Sequence, residues 1–592
     1  MAINVSKANS RKGSFTMKRK NGRPLPLGTT VHGTCVNFSV AVEEEKTCRL
    51  LLYRAGTEEP EQIFEMTKED AIGEVRFLAV EGIDARKYEY NYEVDGKLVM
   101  DPYVKEIAGK KCWGQVGDSK EMKLRGKLVS SVYDWEEDKL LQIPEEEVIA
   151  YNLHVRGFTK DRSSRIRKKG TFAGVIEKIP YLLELGVNQI HCMPVYEFEE
   201  CGEKYINYWG YGPSYCFAPK SAYASNGHSV KELKDMVKAC HKAGIEVILN
   251  LPFDESIHPQ MIVECLHAYL MEYHVDGFVL NPALAPMNSI LKDPLLKGLK
   301  IICYDNGFQN SIRRFLKGDE GMVPEVMWQM RRLPKADHTI NYITNHTGFT
   351  LTDLVSYDTK HNEENGENNT DGPDCNFSWN CGTEGPTRKK QILKLRDGQI
   401  RNAFLMLLLS QGTPCILAGD EFGNSQNGNN NVYCQDNETG WLNWHRGMRE
   451  MELTEFVKEL IRFRKEHPVL HQNHLLLGMD QKSCGVPDIS YHGENAWQAP
   501  DQYDSRQLGV FLSGEALETE DCFIALNMHW VEHTFAIPTL SKSKEWHLSV
   551  STQDGVLENP TPLGKKKSII VPGRTIVVLT GKSKDEEKDD RN

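Results

Sequence analysis

Four segments of this chain end in side chains that could bind or react. The run from Asp276 to Asn281 closes on an amide, and the run from Lys300 to Asp305 closes on a phenol, Tyr304, beside a carboxylate. A third ends in His346 and Thr347, and a fourth, from Asn250 to Ser256, offers Asp254 and Glu255. A pair of carboxyl groups at such strand ends would serve as nucleophile and general acid. An amide is a far poorer nucleophile than a carboxylate. A phenol with a pKa of about 10 is an inefficient acid at neutral pH. Asp305 is one residue from Tyr304, and neighbouring strand residues point to opposite faces. A fifth segment, Asn207 to Tyr211, carries Tyr208, Trp209 and Tyr211, whose flat faces can pack on a ligand without any carboxylate.

The elements that would position these groups follow from periodicity. Residues 1–145 read as β: Val36, Phe38 and Val40 alternate with polar residues, and Tyr88, Tyr90 and Tyr92 alternate up to an Asp95-Gly96 hairpin signal. Short strands with turns between them predict a β-sandwich. The tyrosine stripe is read as a packed sheet face in preference to a sugar platform. From about 148 strands and helices alternate. Strands are predicted over 148–155, 187–195, 246–253, 277–281, 300–304, 339–345 and 414–420. Helices are predicted over 171–185, 229–243 and 259–273, the second with a Ser229/Glu232 capping box. The expected fold class is α/β: a (β/α)8 TIM-type barrel over 146–470, between the N-terminal sandwich and a C-terminal β-sandwich domain over 471–581. Residues 582–592 read as a charged, disordered tail, and 358–388 as a long functional loop.

Composition narrows the partners. The chain has 592 residues and a net charge of −12, which argues against nucleic acid and anionic membranes and fits a neutral ligand. The polar N-terminus shows no secretory signal, and no apolar run is long enough to span a membrane. Fifteen cysteines are scattered singly, many inside apolar runs, as free thiols are in a reducing compartment. A cytoplasmic protein without metal or cofactor is expected; Cys375 and Cys381 have neither a histidine nor zinc-ligand spacing.

Several segments together carry a resemblance: Tyr151 to Phe158, Gly170 to Gly174, Asn207 to Tyr211 with Phe217 to Pro219, Gly348 to Tyr357 running into Lys360 to Glu363, Asn376 to Gly382, Gln411 to Pro414, Ala418 to Phe422 and Gly428 to Asn437. The chain resembles the bacterial glycogen debranching enzymes and isoamylases of the α-amylase superfamily (glycoside hydrolase family 13), over about residues 20 to 580. The resemblance implies a starch-binding-like N-terminal domain, an α-amylase-type barrel, and action on α-1,6 branches of an α-glucan, glycogen or limit dextrin.

It also implies where the machinery should sit. Retaining glycoside hydrolysis needs two carboxyl groups about 5–5.5 Å apart. At the nucleophile position this chain has Asn281, at its arginine helper Val279, at the acid/base Tyr304, and at the third carboxylate Thr347. No catalytic carboxylate is intact. His346 keeps a position that touches a sugar hydroxyl in the resembling enzymes, and Tyr208, Trp209 and Tyr211 keep the loop that stacks sugar rings. The loop expected after Asn250 is largely deleted, since Pro259 opens a helix almost at once. The leading expectation is a catalytically degenerate member that binds glucan or pairs with an active debranching enzyme. Two others stay open: a hydrolase using displaced carboxylates (Asp305, Asp254 or Glu255), or an interaction protein without sugar affinity.

Overall fold

A computed structural model describes residues 17–110, 112–114, 124–202, 204–333, 337–500 and 502–584. It divides the chain into two compact units, one of Met1–Glu136, Tyr196–Cys201 and Pro213–Leu233, the other of Glu137–Val195, Gly202–Gly212 and Lys234–Asn592.

In the first unit, period-two alternation builds two antiparallel sheets. One runs in the order Lys18–Lys20, Val75–Glu81, Cys35–Ala41, Gly28–His32; the other runs Ile107–Ala108, Arg125–Lys127, Tyr88–Val94, Cys48–Arg54, Gln62–Glu65. Val36, Phe38, Leu50, Leu52, Leu78, Val80, Tyr90 and Tyr92 form their shared core. Tyr90 packs edge-on against Phe38 at 5.5 Å and donates its hydroxyl to Asp101 at 2.7 Å. The tyrosine stripe therefore faces the sandwich core. Asp95 and Gly96 both adopt positive φ, 48° and 74°, as a tight hairpin turn requires.

The second unit holds the parallel curled sheet of the TIM-type barrel. Six strands, β1 (Ala150–Leu153), β2 (Gln189–Cys192), β3 (Glu246–Asn250), β4 (Gly277–Val279), β5 (Lys300–Ile302) and β6 (Cys415–Leu417), pair in the order β5-β4-β3-β2-β1-β6. The segment expected as a strand at 339–345 makes only a bridge, Asn341 to Pro414, and lies next to β5 through the Cys303 N–H donated to the His338 carbonyl at 2.6 Å. Val148, Ala150, Ile248, Val279, Ile302, Ile340, Tyr342 and Cys415 fill the interior. Helices cover 172–185, 229–242 and 259–273 in close agreement with the pattern. The first is capped by the Thr171 hydroxyl and ends at Gly186 with φ 95°. The capping box at Ser229 does not form: Glu232 instead accepts the N–H and hydroxyl of Ser225, at 2.9 Å each. Residues 251–258 connect β3 to the helix Pro259–Tyr273.

The C-terminal part is a six-stranded antiparallel sheet with a two-stranded companion. Its strand Thr575–Ser583 runs into the stretch expected as tail, which is therefore shorter than expected at its start. The remainder of that tail and the first sixteen residues lie outside the described residues. Every cysteine is a free thiol. Among the described residues no helix is long and apolar enough to cross a membrane.

Candidate functional site

Strand parity decides which groups enter the barrel mouth. Ile302 faces the interior, so Tyr304 does too, and Asp305 does not. The Tyr304 hydroxyl accepts the Asn152 amide at 2.5 Å, and its ring lies edge-on to Tyr342 at 5.4 Å. Burial holds this phenol well above its ordinary pKa and keeps it protonated. Asp305 turns to Arg332 at 3.4 Å. Asp254 accepts the Ser256 N–H at 2.8 Å in a local turn, and Glu255 is exposed. Asp305 and Asp254 thus have partners of their own, Arg332 and Ser256.

Val279 is buried among Ile248, Ile302 and Tyr342, where the helper arginine is expected. Asn281 is exposed, and its side chain accepts the Ala283 N–H at 3.0 Å, folding the following turn. Thr347 is exposed and donates to Asn345 at 2.9 Å. Two carboxylates nearby in sequence are buried and used by the scaffold. Asp420 accepts the Thr344 hydroxyl and the Leu351 N–H, with burial pushing it up to about 7. Glu421 accepts the hydroxyls of Tyr151 and Tyr181 at 2.8 and 2.5 Å.

His346 is 7% exposed, and its Nε2 meets the Tyr211 hydroxyl at 2.6 Å. The Asn250 amide donates to that same hydroxyl at 3.5 Å, and the other ring nitrogen, Nδ1, is buried without a partner. Burial lowers the histidine from 6.5 to about 4. The sign follows: the unfolded chain takes up this proton below pH 6.5, the folded chain only near 4, so stability held above pH 6.5 is lost as pH falls. Buried His154 and His191, both pushed to about 3, act in the same direction. Urea unfolding is expected to show a loss of roughly 3 kcal/mol from His346 by pH 4, and a shallower slope in His346→Gln. An unchanged slope in that variant would show that His346 is not buried in its neutral form.

Beside this cluster lies a cavity of about 560 Å³, within the range of small-ligand sites. Trp209 and Tyr211 line it, together with Tyr205, Glu367, Asp371 and Tyr433. Asn281, Tyr304, Thr347 and Val279 are not among its lining residues. Trp209 sits 5.2 Å from His346, edge to face. Tyr208 is 1% exposed, gives its hydroxyl to the Gly440 carbonyl at 2.9 Å, and is not among the residues lining the cavity. It supports the aromatic loop from behind.

Glu367, Asp371 and Tyr433 were missed from sequence. They come from the 358–388 loop and the Gly428–Asn437 motif, where no periodicity singles out individual residues. Side-chain amides join the two. Asn362 exchanges bonds with Asn430 at 2.9 Å each way, Asn429 donates to Asn365 at 2.9 Å, and Asn430 donates to Asn376 at 3.0 Å.

Comparison with known proteins places these features. The sequence profile of the α-amylase catalytic domain matches residues 152–255. The chain is 31% identical to the chloroplastic isoamylase 3 of Oryza sativa subsp. japonica, over 92% of this chain and 84% of that one. It is 29% identical to the glycogen operon protein GlgX homolog of Mycobacterium bovis, over 94% and 96%. Among solved structures it resembles the pullulanase of Paenibacillus barengoltzii, in complex with maltohexaose and α-cyclodextrin, with a TM-score of 0.72, 18% identity, and 95% and 96% of the two chains covered.

Proposed function

Given that the chain belongs to the isoamylase and glycogen-debranching group of the α-amylase superfamily, we propose that it is a non-hydrolytic α-glucan-binding protein of glycogen metabolism. One observation carries this reading. The positions that should bear the chemistry hold Asn281, Tyr304 and Thr347, each a neutral group already engaged in a hydrogen bond within the chain. The adjoining aromatic cavity has no need of them. Trp209 and Tyr211 line the cavity where a glucosyl ring would stack, and His346 holds Tyr211 from behind through its hydroxyl. Because Tyr90 and Tyr92 are consumed in the sandwich core, glucan contact falls to the barrel. Its setting is the cytoplasm, in keeping with fifteen free thiols. There it acts by holding glucan or by accompanying an active debranching enzyme. The displaced carboxylates Asp305 and Asp254 are occupied by Arg332 and Ser256, which weighs against a relocated hydrolase.

Co-sedimentation with glycogen tests the proposal. Wild-type protein is expected to pellet with glycogen, and Trp209→Ala to bind about tenfold more weakly, the loss of a stacking contact worth ~1.5 kcal/mol. Failure of the wild type to pellet would favour an interaction protein without sugar affinity.

A further inference from the structure

We propose that Glu367 and Asp371 form the polar wall of the cavity, that they accept hydroxyl hydrogens of a neutral glucosyl unit, and that they exclude anionic sugars. The proposal rests on the glucan-binding reading and extends it to residues outside the barrel strands.

The cavity has two chemically different sides. Tyr205, Trp209 and Tyr211 present rings, and Glu367 and Asp371 present carboxylates. A glucosyl ring divides in the same way, with an apolar C–H face and a rim of hydroxyl donors, and a carboxylate is a strong acceptor for such donors. Asp371 is held in place at the cavity wall: its Oδ2 takes the amides of Asn365 at 2.8 Å, Asn431 at 2.9 Å and Asn362 at 3.4 Å. Glu367 is fixed at the cavity by the Tyr433 hydroxyl on Oε1. Two carboxylates at one cavity, with the exposed Lys204 as the lining cation, make an anionic ligand unfavourable.

Titration of the full-length protein with maltohexaose, read by calorimetry, tests this alongside competition by maltose and maltose 1-phosphate. Wild type is expected to bind maltohexaose and to prefer maltose over maltose 1-phosphate at least tenfold. Asp371→Asn is expected to weaken maltohexaose binding about tenfold. The double variant Glu367→Gln/Asp371→Asn should lose most of the preference against the phosphate, which a merely structural role would not produce. Circular dichroism melts confirm folding; if Asp371→Asn unfolds, Glu367→Gln alone must still narrow the preference. Folded variants with unchanged affinity and unchanged preference overturn the polar wall while leaving glucan binding intact. A wild type that binds no maltohexaose overturns both.

Discussion

Glycogen limit dextrin incubated with the full-length protein is expected to release reducing ends no faster than buffer, and Asp305→Asn is expected to change nothing. Removing one member of a catalytic unit costs roughly 10⁴-fold or more, and members removed together do not add, so the loss is already near complete with Asn281 alone. Restoring the carboxylates tests the physical account more sharply. Asn281→Asp with Tyr304→Glu returns two acids to the barrel mouth. Val279 still fills the interior with Ile248 and Ile302 where a guanidinium would have to enter. The connection over 251–258 still lacks a long loop to line a cleft. The double variant is therefore expected to remain at least 10³-fold below an active relative, since proximity and orientation supply much of the rate. It is also expected to be less stable, because a glutamate at 304 would bury a charge beside Tyr342. Reducing-end release by wild type that disappears in Asp305→Asn would overturn the non-hydrolytic reading.

Arg396→Ala is expected to loosen the whole of 356–385. This arginine, on the helix Lys390–Leu408, is 4% exposed and donates to four carbonyls: Gly385 at 2.8 Å, Asn380 at 3.0 Å, Ser356 at 3.5 Å and Thr383. One side chain thus closes both ends of the loop that carries Glu367 and Asp371. Truncation leaves buried acceptors unpaired at about 1–3 kcal/mol each. If relaxation recovers most of them, about 3 kcal/mol remains, a factor of roughly 150 in local opening. Hydrogen exchange across 356–385 should accelerate by that order while β1 to β3 stay protected, and maltohexaose affinity should fall in parallel. Exchange that is unchanged in the loop, or raised equally throughout the barrel, would show that Arg396 is not its clamp.

The fold was legible where local rules act alone. The helix Pro259–Tyr273 starts at its proline and matches its predicted bounds, and β1 to β4 fall inside their predicted apolar runs. The 339–345 run was apolar enough to pass for a strand. Yet its side chains Ile340 and Tyr342 fill the barrel while its backbone makes a single bridge, a distinction periodicity does not carry. At the site, the four altered positions could be read because motifs flank them closely. Tyr208 could not be told from Trp209 and Tyr211, since burial behind Gly157 and Gly440 depends on residues far away in the chain. Glu367 and Asp371 lie in a polar stretch without periodicity, and only tertiary amide bonds bring them to the aromatic loop.

Those amide bonds have a consequence for conditions of use. Asn362, Asn365, Asn376, Asn429 and Asn430 tie the two loops through uncharged groups. Ionic strength has nothing to screen in such ties, whereas exposed ion pairs fade within a Debye length of about 8 Å in physiological salt. The ties among these five asparagines should therefore tolerate the shifting electrolyte of a metabolising cell.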